Sequence, residues 1–226
     1  LDPEGPRNSA RFETDAFKDP STEVLFRALD ADQDGRMDLI AIPDTYEPIM
    51  LIFRQKGRAQ FELIELEFPG SADRRWLSVG DLDGDGLQEM LTGKDQFLRG
   101  FRLVQNRIDG SIPWRLQVID QVNAPISAEV AGAVFVAEQA ERPAGLYVYD
   151  RESNRVLLCR KDERGVWRPV QSLRLPDIPF SAFGSQFLGT TEPTFCLTFE
   201  SDDAIGWMPL DGPKWALEEL ATYESP

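Results

Sequence analysis

The segment WRLQVI at residues 114–119 is one of four aromatic-led apolar strands that return along this 226-residue chain. The others begin at Phe61, Trp167 and Trp215, and the N-terminal segment that begins at Phe12 fits the same pattern. The intervals between these aromatic residues are 49, 53, 53 and 48 residues. A steady period of about fifty residues indicates one structural unit that is repeated along the chain.

Two further sets of residues return with the same period. The first set lies upstream of the aromatic strands and comprises Phe53, Phe101, Cys159 and Trp207. The second set opens short apolar segments and comprises Leu39, Met90, Leu146 and Phe195. Within each period, short apolar runs are separated by turn residues, which is typical of strands, and no segment keeps a helical period over three turns.

Four strands in about fifty residues, repeated along the chain, predict an all-β fold of four-stranded antiparallel propeller blades. In the first repeat the predicted strands are 23–29, 38–42, 49–54 and 60–67. We assign 19–69 and 70–125 to two blades with acidic loops, and 126–177 and 178–226 to two degenerate blades.

Residues 1–18 are interpreted as the outer strand of a preceding or a closing blade. Two explanations compete: this strand closes the ring onto the last blade, or the chain is part of a longer ring of six or seven blades. The last repeat already has an outer strand of its own, so the longer ring is favoured.

Two acidic loops lie between the first and second predicted strands of the first two repeats. Loop 1, residues 30–38, reads DADQDGRMD, and loop 2, residues 81–89, reads DLDGDGLQE. Both fit the pattern D-x-D-x-D-G-x-x-[DE]. Ca²⁺ takes six to eight hard oxygen ligands, and alternating aspartates in a tight loop direct three short carboxylates inward. The glycine at position six permits the sharp turn.

Position seven of each loop offers a backbone carbonyl, and the acid at position nine completes the shell of oxygens. The sequence therefore predicts two calcium sites. The predicted ligands are Asp30, Asp32, Asp34, Arg36 (backbone) and Asp38 in loop 1, and Asp81, Asp83, Asp85, Leu87 (backbone) and Glu89 in loop 2.

Other kinds of acidic loop fit less well. An EF-hand needs an acid at position twelve and flanking helices, whereas this chain has Ala41 or Thr92 there and strands on either side. A metal-free acidic turn is the plainer alternative, and the recurrence of the loop at equivalent points of two repeats disfavours it. Residues 137–145 and 189–194, at the same place in repeats 3 and 4, lack the carboxylates, so no calcium is expected there.

The run VGDLDGDG at residues 79–86, followed by an apolar strand, resembles the FG-GAP/VCBS repeat of integrin α-subunit propellers and of many secreted bacterial proteins. The resemblance covers repeats 1 and 2, whereas repeats 3 and 4 are assigned by strand register alone. It implies that calcium at both loops is structural and fixes the loop between two strands. It implies no catalytic role for the metal.

Composition narrows the classes of function. The formal net charge of −15 repels phosphates and anionic lipids, so nucleic acid is not expected as a partner. No apolar run is long enough for membrane insertion. The chain contains no histidine, which removes the commonest general base and the Ser-His and Cys-His nucleophile pairs. Cys159 and Cys196 are interpreted as buried thiols, with a disulfide between them left open.

The expected function is a non-catalytic, calcium-stabilised propeller that acts as a protein-binding or assembly module, with a protein or another propeller segment as its partner. The alternative is a carbohydrate-binding or carbohydrate-active propeller, with a glycan stacked on the recurring aromatics. Packing between blades is the favoured role for those aromatics. Calcium loops of extracellular affinity, about 10⁻⁴–10⁻³ M, function where calcium is plentiful, so a periplasmic, cell-surface or secreted location is expected.

Overall fold

The structure is a computed structural model that describes residues 22–46, 48–58, 60–69, 77–106, 113–136, 144–175, 179–186, 193–199, 204–209 and 218–222. These residues form four four-stranded sheets, and the strands of each sheet follow chain order. Every pairing whose register is described is antiparallel, as in Leu39↔Phe53 and Met90↔Phe101. The prediction of an all-β chain built from four-stranded blades is confirmed, while residues 1–18 lie outside the described ranges.

The sixteen strands divide evenly among the sheets, which we number as blades 1 to 4. Blade 1 contains β1 (Val24–Leu29), β2 (Asp38–Pro43), β3 (Ile49–Gly57) and β4 (Gln60–Glu67). Blade 2 contains β5 (Ser78–Gly80), β6 (Glu89–Lys94), β7 (Phe97–Gln105) and β8 (Trp114–Asn123). Blade 3 contains β9 (Val130–Val136), β10 (Gly145–Asp150), β11 (Arg155–Lys161) and β12 (Trp167–Arg174). Blade 4 contains β13 (Pro179–Gln186), β14 (Pro193–Phe199), β15 (Ala204–Pro209) and β16 (Glu218–Thr222).

The middle strand β10 of blade 3 is buried on both faces. Every residue of β10 is buried, including Tyr147 and Tyr149, and the sequence GLYVYD correspondingly lacks the apolar–polar alternation of a half-exposed strand. The outer strand β12 differs, since its first residue is buried and most of the others are exposed. This gradient from middle to outer strand is what stacked blades require. No helix in the described ranges is long and apolar enough to cross a bilayer.

The chain divides into two compact units. The first contains residues Leu1–Arg74 and Arg102–Gln117, and therefore blade 1 with part of β7 and β8. On one face of blade 1, Ala41, Leu51 and Phe53 form a buried cluster. Residues Ile40, Ile42, Met50 and Ile52 alternate with them along β2 and β3 and are fully buried as well.

The second unit contains residues Arg75–Phe101 and Val118–Pro226. Its core joins blades 2 and 3, because Leu82 and Leu91 pack in one cluster with Val148, Leu157 and Trp167. The first strands of successive blades are neighbours in this unit, since β9 contacts both β5 and β13. Adjacent first strands are the arrangement of propeller-type blades.

Two glycines permit this close approach of blades 2 and 3. A Cβ at Gly93 in β6 would overlap the backbone carbonyl of Val130 in β9. A Cβ at Gly80 in β5 would overlap the ring of Phe135, also in β9. Both positions therefore need a residue without a side chain.

Candidate metal centre

The first aspartate of each loop stabilises the turn by accepting hydrogen bonds from backbone N–H groups within the loop. In loop 1, Asp30 accepts hydrogen bonds from the backbone N–H of Asp34 at 3.0 Å and of Gly35 at 2.8 Å. In loop 2, Asp81 accepts them from Gly84 at 2.6 Å and Gly86 at 2.8 Å. A short side chain that binds backbone amides a few residues ahead is the usual way in which aspartate stabilises a turn, so position one organises each loop as well as offering a ligand.

Both loops use left-handed backbone at positions four and six. The glycines at position six, Gly35 and Gly86, have φ of 85° and 89°. At position four, loop 2 has Gly84 with φ of 88°, whereas loop 1 has Gln33 with φ of 59°. The side-chain nitrogen of Gln33 is also buried without a hydrogen-bond partner. Loop 1 therefore carries backbone and solvation costs that loop 2 avoids.

Replacing Gln33 with glycine is expected to raise the free energy of unfolding by about 1 kcal/mol, because a non-glycine residue in the left-handed region costs about that much. The comparison variant is Gln33→Ala, which removes the buried amide but keeps the Cβ and its strain. Urea denaturation of the three proteins in EGTA measures the effect. Equal midpoints for Gln33→Gly and Gln33→Ala would contradict the backbone explanation.

The structure brings three carboxylates together in each loop. The candidate ligand oxygens of Asp30, Asp32 and Asp38 all lie within 4.8 Å of one another. In loop 2 the same is true of Asp81, Asp83 and Asp85, which are more exposed. Like charges this close repel one another unless a cation lies between them, and carboxylate oxygens are the ligands that Ca²⁺ prefers.

One buried oxygen of loop 1 has no protein partner. The side chain of Asp32 is 6% exposed, and its Oδ1 is buried without a hydrogen bond. A buried carboxylate oxygen without a donor is costly, and a hard cation beside it would satisfy it. The residues present in loop 1 therefore fit a calcium ion.

The acid at position nine ties each loop to its own blade. Asp38 is 2% exposed, and its two oxygens accept the backbone N–H groups of Ala31 at 3.0 Å and Gln55 at 2.7 Å. Glu89 is fully buried and accepts the N–H of Leu82 at 2.7 Å. Each carboxylate oxygen has a second lone pair, so these hydrogen bonds leave lone pairs that a metal could use.

Burial is the main cause that raises the pKa of Asp38 above its ordinary value, and the charges of Asp32 and Asp34 add to it. The two backbone hydrogen bonds oppose the shift. Desolvation thus penalises the negative charge at this position. A bound cation would offset that penalty.

Asp34, predicted as a ligand, is turned toward two arginines. Its Oδ2 pairs with Arg36 and, at 3.0 Å, with Nη2 of Arg54 in β3. The Nε of Arg54 also donates to Oδ2 of Asp32. Sequence reasoning missed Arg54, although a signal exists: an arginine follows the repeated position in three repeats, as Arg54, Arg102 and Arg160.

The blade that follows each loop binds the backbone carbonyl at loop position two. In the first unit, Leu103 N–H of blade 2 donates to the carbonyl of Ala31 in loop 1 at 2.9 Å. In the second unit, the indole Nε1 of Trp167 in blade 3 donates to the carbonyl of Leu82 in loop 2 at 3.0 Å. Lys161 Nζ adds a bond to the carbonyl of Asp83 at 2.9 Å. Each loop is thus held from outside its own blade.

The recurring tryptophans have structural surroundings where they are described. Trp167 is 5% exposed and lies edge-on to Phe135, with ring centroids 6.3 Å apart. Trp114 is half-buried, and the guanidinium of Arg54 lies over its ring at 4.9 Å. Packing is therefore the role of Trp167, as favoured from the sequence, while Trp215 lies outside the described residues.

Repeats 3 and 4 are described only in part at the places where a loop was sought. Residues 137–143 and 187–192 lie outside the described ranges, so the expected absence of calcium there stays a prediction.

Cys159 is a free, buried thiol, and burial raises its pKa to about 12. This finding agrees with the interpretation of Cys159 as a small core residue, and the side chain of Cys196 lies outside the description.

Residues 30–92 match the family model described as an FG-GAP-like repeat. The matched stretch contains both acidic loops and the strands between them, so the resemblance inferred from these loops is confirmed for this part of the chain. No curated protein matches the chain.

Proposed function

We propose, from the FG-GAP-like repeat in residues 30–92, that this β-propeller-type module is stabilised by calcium at both acidic loops and serves protein binding or assembly outside the cytoplasm without catalysis. The proposed ligands of loop 1 are Asp30, Asp32, Asp34, Asp38 and the carbonyl of Arg36. Those of loop 2 are Asp81, Asp83, Asp85, Glu89 and the carbonyl of Leu87.

The buried Oδ1 of Asp32 is the observation that supports calcium most directly. It has no hydrogen-bond donor and belongs to a carboxylate whose neighbours in the cluster are Asp30 and Asp38. Water at an exposed acidic turn would satisfy such an oxygen, but this one is shielded from solvent. A cation held by several carboxylates satisfies it and reduces the repulsion within the cluster.

Removal of calcium is expected to lower the stability of the chain. A ligand that binds only the folded state adds about 2.7 kcal/mol when its concentration is one hundred times its Kd. With two sites, the melting temperature should fall clearly on addition of EGTA and recover with excess calcium. Elemental analysis of protein dialysed against calcium should find two Ca²⁺ per chain.

Two variants calibrate this experiment. Asp83→Asn removes one proposed ligand of loop 2 and should reduce the calcium content to one per chain. Asp162 lies in an acidic turn outside both loops, and its carboxylate accepts hydrogen bonds from the backbone N–H groups of Arg164 and Val166. Asp162→Asn should therefore leave the calcium content at two per chain. The proposal would be overturned if the wild-type chain contained no calcium and its melting temperature did not change on addition of EGTA.

An exposed apolar area on blade 1 supports a protein partner. Phe26 is 51% exposed and Leu39 is 39% exposed, and the pairings of β1 with β2 place them on one face. Leu146, at the position of Leu39 in the third repeat, is fully buried in the core between blades 2 and 3. The face of blade 1 therefore suits another propeller-type segment.

Light scattering after size-exclusion chromatography tests this part of the proposal. We expect the chain to associate, either with itself or with an added propeller segment. Replacing Leu39 with lysine should abolish the association, because a charge would lie within the apolar area. A compact monomer that binds no such segment would contradict the proposal.

The location outside the cytoplasm follows from the expected affinity. Loop 2 is largely exposed, and we expect it to bind calcium in the range of about 10⁻⁴–10⁻³ M that is typical of extracellular modules. Calorimetric titration measures this value. A submicromolar Kd at both loops would argue against a requirement for calcium-rich surroundings.

A further inference from the structure

Arg54 is fixed beside loop 1 by contacts on several sides. Its guanidinium pairs with Asp32, with Asp34 at 3.0 Å and with Glu62 at 3.5 Å. The same group lies 4.9 Å from the ring centre of Trp114, and the side chain is 16% exposed. An arginine held by two loop carboxylates and an aromatic face is not easily displaced, because its planar fork matches carboxylate geometry and stacks on aromatic rings.

Burial alone would lower the pKa of Arg54, but the hydrogen bond to Asp32 and the charges of Asp32, Asp34 and Glu62 outweigh it and raise that pKa. The guanidinium is therefore a permanent positive charge at the loop. Loop 1 has four carboxylates, and two of them, Asp32 and Asp34, pair with the guanidiniums of Arg54 and Arg36. The other two carboxylates, those of Asp30 and Asp38, carry a formal charge of minus two, which one Ca²⁺ would neutralise. The charges of loop 1 are therefore compatible with a calcium ion in addition to the guanidinium of Arg54.

Arg54 also determines which oxygen of Asp32 is available. The guanidinium binds Oδ2, and the oxygen left without a partner is Oδ1. With Oδ2 held, the carboxylate cannot rotate freely, and Oδ1 keeps a fixed direction. Hydrogen bonds to metal-binding carboxylates orient them in this way, and their loss weakens metal binding.

We propose that Arg54 is a positioning residue for calcium at loop 1: its guanidinium holds Asp32 so that Oδ1 faces the metal, and Trp114 of blade 2 holds the guanidinium. This inference rests on the proposed calcium function. It assigns to Arg54 a role that helps calcium and does not compete with it. It also links metal binding in loop 1 to the packing of blade 2 through the contact between Arg54 and Trp114.

The register of the strands shows which residue of blade 2 is equivalent to Arg54. Phe53 pairs with Leu39 and Phe101 pairs with Met90, where Leu39 and Met90 directly follow the two loops. Arg102 therefore holds the strand position in blade 2 that Arg54 holds in blade 1. Arg160 holds the same position in blade 3, so the argument for Arg54 depends on its own contacts with Asp32, Asp34 and Trp114.

The test measures calcium binding at loop 1 alone, in protein whose loop 2 is disabled by Asp83→Asn. In that background, Arg54→Met keeps an unbranched stem but removes the charged fork, and should weaken calcium binding by about 10- to 100-fold. Arg54→Lys, which keeps the charge but not the two-pronged geometry, should fall between Arg54→Met and the parent. Trp114→Leu should weaken binding by a smaller factor.

The matched control is Arg99→Met. Arg99 also lies over an aromatic ring, that of Phe97 at 5.2 Å, and bonds Gln121 at 2.8 Å, with no loop carboxylate among these contacts. Its replacement should leave the calcium Kd at loop 1 unchanged. Circular dichroism in EGTA establishes that each variant is folded, and Arg54→Lys carries the test if Arg54→Met does not fold.

A second measurement separates positioning from general stability. Tb³⁺ bound at loop 1 should gain about one coordinated water, seen in its luminescence lifetimes in H₂O and D₂O, when Arg54→Met releases Asp32 from the ligand shell. Calcium binding that is unchanged or tighter in folded Arg54→Met overturns the inference and leaves the proposed function standing. A parent protein that binds no calcium overturns both.

Discussion

Gly93→Ala is expected to lower the free energy of unfolding by about 3 kcal/mol, the upper end of the usual cost of overpacking a core. A Cβ at this position would overlap the backbone carbonyl of Val130 and the backbone of Ala131. These atoms belong to or flank a ladder of hydrogen bonds in β9 and cannot rotate aside as a side chain would. Relief would require β6 and β9 to separate, which opens the core between blades 2 and 3.

Gly57→Ala is the matched comparison, because a Cβ there would meet only the flexible end of Gln60 at 3.4 Å. Its effect should stay within about 0.5 kcal/mol of wild type, as for a surface substitution. Urea denaturation of both variants gives the two values. Similar midpoints for Gly93→Ala and Gly57→Ala would contradict the close packing of β6 against β9.

Asp38→Ala is expected to cost about 3 kcal/mol even in EGTA. The carboxylate satisfies the N–H groups of Ala31 and Gln55, and each amide left buried without an acceptor costs about 1–3 kcal/mol. The role of Asp38 is thus partly independent of metal. In calcium the loss should be larger, because one proposed ligand disappears as well.

Asp85→Ala is the contrasting variant in loop 2. Asp85 is exposed and accepts the exposed N–H of Leu87, so water replaces much of what the substitution removes. In EGTA, Asp85→Ala should lower the free energy of unfolding only slightly. In calcium, the variant should lose the stabilisation that calcium binding at loop 2 provides. If Asp38→Ala left the free energy of unfolding in EGTA unchanged, the hydrogen bonds from Ala31 and Gln55 to Asp38 would have no stabilising role.

The blade strands were predictable because their signals are local. Aromatic and apolar residues at a period of about fifty place the strands of blade 1, and the observed bounds differ from the predicted ones by at most three residues. The acidic loops were predictable for the same reason, since nine consecutive residues contain the whole pattern. Short-range patterns of this kind need no knowledge of how the chain packs.

The position of Arg54 required information that no local pattern contains. Its contacts come from loop 1, from Glu62 in β4 and from Trp114, sixty residues along the chain. These groups meet because β2 and β3 pair in one particular register and because part of blade 2 packs on blade 1 within the first unit. The pairing of Asp34 with Arg36 and Arg54 was not predictable either, because a sequence motif does not show which carboxylates have arginine partners.

The carbonyl bonds from Leu103 to Ala31 and from Trp167 to Leu82 make each acidic loop depend on the following blade. Such coupling between neighbours has a direction, from each blade to the one before it. A fragment cut at the end of a repeat would therefore leave its last loop without part of its support. The smallest fragment expected to retain both loops intact extends through Trp167, one blade beyond the last acidic loop.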